Sequence, residues 1–221
     1  METTPLISDI REELQSLGRE DNRQSGKRFF KETIKTYGVQ KPTLDKIAKK
    51  KFQEIESPAK VQIFELCEQL WESETMEEGL IACKWSYFVR HHFLPDDFFI
   101  FERWIEQYIS NWATCDTFCN HTVGAFLMMY PEKTAEIKRW AQSKNRWLRR
   151  ASAVSLIVSA RKGYFINEVF EMASLLLHDK DDLVLKGYGW MLKVASKHYP
   201  DEVFDFVYRR KDIMPRTALR Y

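Results

Sequence analysis

Apolar residues recur every three or four positions along almost the whole chain, and that spacing commits it to helices. Phe165, Val169, Met172, Ala173 and Leu176 fall on one helix face. Phe99, Ile100, Trp104, Ile105, Tyr108 and Ile109 repeat the pattern, as do Leu185, Tyr188, Met191, Leu192 and Ala195. No stretch alternates at period two for long enough to argue a strand. Pro42, Pro58, Pro95, Pro131, Pro200 and Pro215 each precede or open such a segment. There the missing N–H of proline costs nothing. Gly38 and Gly163 mark expected helix ends.

The pattern predicts helices over 5–17, 25–36, 43–52, 58–73, 76–91, 96–110, 113–129, 132–142, 145–161, 164–178, 181–198, 201–210 and 216–221. Short links between them imply antiparallel pairs. The expected architecture is all-α, with HEAT-like repeats of roughly 40 residues stacked into a curved α-solenoid with a basic concave face. One domain is expected over 1–221, continuing past Tyr221, because the last segment still reads as helix without a cap.

No apolar run approaches the roughly 18 residues needed to cross a bilayer, and Met1 to Asp9 does not read as a signal peptide. Cys67, Cys83, Cys115 and Cys119 lack the spacing of a disulfide framework, which places the expected chain in the cytoplasm with reduced thiols. Cys115, Cys119 and His121 invite a zinc reading, but no second ligand pair completes it. Cys115 and Cys119 also fit one buried helix face, so no metal and no cofactor are expected. The phosphate-binding loop, the nucleophile elbow and HExxH are absent from the sequence, which argues against an ATPase, an α/β-hydrolase and a zinc protease.

The charge is unevenly spread. Net charge is only +2, yet Lys133 to Lys162 carries nine basic residues against the single Glu136. The rest of the chain is therefore net acidic. A concentrated basic face suits a polyanion; it also suits a solvated helix surface.

Three local constellations stand out. In Asn111-Trp112-Ala113-Thr114-Cys115-Asp116, Trp112 and Asp116 share a helix face. They form either a core tryptophan with a first-turn aspartate or an aromatic–carboxylate pair suited to a cation. In Asn145-Arg146-Trp147-Leu148-Arg149-Arg150-Ala151, the arginines offer donor forks that fit phosphate. Gly187-Tyr188-Gly189-Trp190 spends about 1 kcal/mol of helix propensity per glycine, which implies close approach of another helix or a ligand.

Taken in order, these pieces resemble the DNA alkylation repair enzyme family, the AlkD-like HEAT-repeat DNA glycosylases. Lys27-Arg28-Phe29-Phe30-Lys31 with Tyr37-Gly38-Val39 and Pro42 looks like the family's N-terminal segment. NWATCD looks like its W-x-x-x-D catalytic segment, NRWLRRA like its N-x-W-x-x-R motif, and KGYGW like K-x-x-G-W. The resemblance implies a monofunctional glycosylase that removes N3- or N7-alkylated purines from double-stranded DNA and acts as a monomer. It implies Asp116 as the catalytic carboxylate and Trp112, Trp190 and Phe29 beside the lesion. Arg150, Arg149, Arg146, Lys144, Lys186 and Arg161 would hold the DNA backbone. Phe29 stands where well-known members carry tyrosine, Val158 where they carry lysine, and Leu14 to Lys27 is shorter than in active enzymes. These departures leave a non-catalytic binder of branched or distorted DNA, or a protein-interaction scaffold, as alternatives.

Overall fold

The computed structural model describes residues 4–221. It is all-α. The helices are α1 (Pro5–Leu17), α2 (Glu20–Lys27), α3 (Lys41–Gln53), α4 (Lys60–Trp71), α5 (Met76–Phe88), α6 (Asp97–Gln107), α7 (Trp112–Phe118), α8 (Gly124–Met129), α9 (Thr134–Trp140), α10 (Arg146–Val154), α11 (Ile157–Ala160), α12 (Ile166–Leu175), α13 (Asp182–Ala195), α14 (Pro200–Tyr208) and α15 (Arg216–Leu219). A π-turn, Cys119–Val123, joins α7 to α8 without a break. The one β-type pairing among the described residues is an isolated bridge between Lys35 and Thr75. Two compact units divide the chain, Met1–Leu94 and Pro95–Tyr221.

The first unit departs from the sequence expectation at one place. The helix expected over 25–36 is instead α2, starting at Glu20, followed by an irregular segment up to α3. Thr33, Ile34, Thr36 and Tyr37 are weak helix formers, and the backbone N–H groups of Tyr37, Gly38 and Val39 are claimed by a buried carboxylate. Glu77, in the first turn of α5, is 1% exposed. Its Oε1 accepts from Thr36 Oγ1 (2.7 Å), Gly38 N (2.8 Å) and Val39 N (3.0 Å), and its Oε2 from Tyr37 N (3.1 Å). Glu78 beside it accepts from Tyr37 Oη (2.8 Å) and Arg11 Nε (3.0 Å). Burial, reinforced by Glu78, pushes the Tyr37 hydroxyl far above its usual range. Gly38 therefore ends no helix; it turns the segment at φ 80°, and a side chain there would run into the Arg19 carbonyl oxygen at 2.4 Å.

The second unit is organised by aromatic rings. Phe98 stacks on Trp140 (5.2 Å between centroids), and Phe101 stands edge-on to Phe118 (5.7 Å) and Phe126 (5.5 Å). All five are buried. Each contributes about 2–3 kcal/mol of apolar burial, with a further increment of about 1 kcal/mol for ring pairs. These rings tie α6, α7, α8 and α9 together and so fix the helix that carries Asp116.

Candidate functional site

The Asn111 side chain opens α7: its Oδ1 accepts from Thr114 N at 3.0 Å. From Trp112 onward the buried residues are Thr114, Cys115, Phe118, Cys119, Thr122 and Val123. Trp112, Ala113, Asp116, Thr117 and Asn120 make a half-exposed stripe on the other side. Cys115 and Cys119 are free thiols on the buried face, and Cys115 Sγ donates to the Trp147 carbonyl oxygen at 3.8 Å. No group of three His, Cys, Asp or Glu side chains that could hold a metal occurs among the described residues.

Asn145 opens α10 in the same way, its Oδ1 accepting from Trp147 N at 2.8 Å. The Asn-x-Trp spacing thus has a local cause. The cap places Trp147 inward, buried beneath the Arg146 guanidinium at 5.0 Å. One turn later Arg150 also points inward. Its Nε donates to Asp116 Oδ1 (2.8 Å) and its Nη2 to Asp116 Oδ2 (2.7 Å), while Nη1 donates to the Leu183 carbonyl oxygen. The two side chains are 7% and 15% exposed. Arg150, expected on the DNA backbone, therefore spends the fork it would offer a phosphate on Asp116. Burial pushes the Asp116 carboxyl above the ordinary carboxylate range, and the guanidinium works against that rise.

The two glycines of KGYGW have separate purposes. A side chain at Gly187 would touch Arg150 Cγ and Nη1 and Val154, each at 3.6 Å, so α13 meets the arginine at this point. A side chain at Gly189 would press on Ala218 O (2.9 Å) and Cα (3.1 Å), so α15 lies directly on α13 there. Tyr188 between them is fully buried. Trp190 is half exposed, one turn beyond Gly187, and Lys186 is half buried. Arg150 therefore joins all three motifs of the second unit: Asp116 on α7, itself on α10, and Gly187 and the Leu183 carbonyl on α13. Phe29 lies in the first unit, after α2, and is 75% exposed.

Much of the basic stretch is neutralised by carboxylates, most of them distant in sequence. Arg149 Nε binds Asp179 Oδ2 (2.6 Å), with Nη1 on the Ser143 and Lys144 carbonyl oxygens. Arg146 Nε binds Asp181 Oδ2 (2.8 Å). Lys138 pairs with Glu171, and Arg139 with Glu136 (2.8 Å). Lys144, Arg161 and Lys162 are exposed, without an ion pair among the described residues. Sequence reasoning missed Asp179 and Asp181. The signal was present in Asp179-Lys180-Asp181-Asp182, since an aspartate before an apolar-periodic run is a helix cap, and Asp181 Oδ1 does accept from Leu183 N (2.8 Å).

A family model described as DNA alkylation repair enzyme matches residues 10–221. Among solved structures, a predicted DNA alkylation repair enzyme from Enterococcus faecalis superposes with a TM-score of 0.81 at 15% sequence identity, covering 92% of this chain and 93% of that one. At that identity the likeness speaks for the fold. No curated protein matches the sequence.

Proposed function

This chain belongs to the DNA alkylation repair enzyme family, and from that premise we propose that it is a glycosylase hydrolysing the N-glycosidic bond of N3- or N7-alkylated purines in duplex DNA. DNA repair is its role and DNA its substrate; the bond and the lesion are the reading offered here. The observation that carries it is the convergence of three separated motifs on one buried guanidinium, which holds Asp116 by both oxygens on a half-exposed stripe shared with Trp112.

The chemistry follows from the charge of the substrate. Alkylation at N3 or N7 makes the purine cationic and already a good leaving group, so protonation of the base matters little. As the glycosidic bond lengthens, positive charge grows on the deoxyribose. A fixed carboxylate stabilises that charge without reorganising, and an indole face adds to the attraction. The oxygen of water then bonds to C1′ while the electron pair of the C1′–N bond leaves with the purine, cancelling its positive charge. The proton shed by water passes to Asp116. Trp112 and Trp190 flank the lesion in this reading. Arg150 is a positioning residue. Phosphate contacts fall first to the exposed Lys144 and Arg161, with Arg146, Arg149 and Lys186 contributing where DNA displaces their present partners.

The test is release of 7-methylguanine or 3-methyladenine from alkylated duplex. Asp116→Asn should lose about 100- to 1,000-fold in the single-turnover rate with unchanged duplex affinity. Tight, salt-dependent DNA binding without any base release by the wild-type chain would select the non-catalytic binder instead.

A further inference from the structure

We propose that Asn120 is a positioning residue of this site, holding jointly with Asp116 the water that attacks the deoxyribose C1′; this rests on the glycosylase reading above. Trp112, Asp116 and Asn120 recur every four residues along the continuous run of α7, the π-turn and α8. All three are half exposed, while the residues between them include the buried ones that face the aromatic core. Side chains at that spacing have Cβ atoms about 5–6 Å apart. A water resting on Asp116 is within reach of the next polar side chain along the stripe.

Arg150 limits what Asp116 offers. Its two donors occupy one lone pair on each carboxylate oxygen and leave the others open. A water held by one of these still swings about that single hydrogen bond. A lone pair stays aimed at C1′ only when the second proton is also held. Two further polar side chains share the half-exposed stripe. Thr117 already donates its hydroxyl to the Ala113 carbonyl oxygen at 2.7 Å. Asn120 Oδ1 is buried with no hydrogen-bond partner, an unfavourable state for a carbonyl. Because Asn120 is half exposed while this atom is not, a half-turn of the carboxamide exchanges this oxygen for the amide nitrogen and turns the acceptor out of its buried position. The π-turn begins one residue before Asn120. Such turns within α-helices concentrate at functional sites. This one widens the turn that Asn120 occupies.

Single-turnover base release from a duplex containing 7-methylguanine, run with and without methanol as a competing nucleophile, tests this. Asn120→Leu should slow release by about tenfold to a hundredfold, leave duplex affinity unchanged, and raise the share of methyl glycoside over free sugar. Asn120→Asp keeps an oxygen acceptor in place; assayed well above the Asp116 midpoint, which the added like charge raises, it should recover most of the rate and keep the wild-type methanol share. If the leucine variant fails to fold by circular dichroism, Asn120→Ala takes its place with the same expectations. Wild-type rate and methanol share in a folded variant overturn the assignment of Asn120 alone. No release by the wild-type chain removes the glycosylase reading and this inference with it.

Discussion

Each unit encloses a carboxylate, and the two are held in opposite ways. Glu77 is almost wholly inaccessible and accepts four hydrogen bonds, three of them from backbone N–H groups of one short segment. Asp116 accepts two, both from a single side chain, and keeps one flank toward solvent. Four donors, three of them fixed backbone N–H groups, engage both oxygens of Glu77 and tie it to Thr36 to Val39. A lone guanidinium orients Asp116 and leaves lone pairs available. The difference separates a carboxylate that builds the fold from one that, in the function proposed above, is kept for chemistry.

Substitutions sharpen this contrast, beginning with the one of greatest expected effect. Glu77→Ala strands three buried amides and should destabilise the first unit by about 3–5 kcal/mol in urea unfolding; a loss below about 1 kcal/mol would place Glu77 among ordinary surface caps. Arg150→Gln should cost less in stability, about 2–4 kcal/mol, and do more to the chemistry. Asp116 already sits above the ordinary aspartate value of 3.8 because of burial, and loss of the guanidinium removes the opposing influence. Its raised folded-state pKa means that this group favours folding below that pKa and that the contribution is lost as pH rises through it. In the proposed mechanism base release needs the ionised form, so it should fall on acidification with a midpoint above 3.8, and the midpoint should move higher still in Arg150→Gln. An acid limb that does not move would separate Arg150 from Asp116. The smallest effect belongs to Gly187→Ala. The new methyl meets Arg150 at ordinary contact distance, so better helix propensity should stabilise the chain by about 0.5–1 kcal/mol with little change in rate. A large loss of activity would show that α13 sets the angle of the guanidinium closely.

Helix positions were legible in the sequence because apolar period and proline placement report directly on local burial. Residues 28–36 were misread because the chain just after them, Thr36 to Val39, is pinned by Glu77, some forty positions away. The site was legible as a set of motifs and not as a set of pairings. Asp116 and Arg150 could each be singled out by residue type and spacing, yet nothing local shows that they bind each other, nor that Asp179 and Asp181 return to quench Arg149 and Arg146. The count of cations in Lys133 to Lys162 overstated the free positive charge for the same reason. The four-residue spacing of Asn120 from Asp116 was visible in the sequence, but its buried oxygen and the π-turn are properties of the folded helix.

The way Arg150 is bound has a consequence for inheritance. One side chain that touches α7 and α13 from α10 couples three stretches of the gene that are otherwise far apart. Drift in the aspartate is constrained by the arginine and the reverse, so descendants should keep or discard that pair together. Where a relative has lost the aspartate, the arginine should have changed as well.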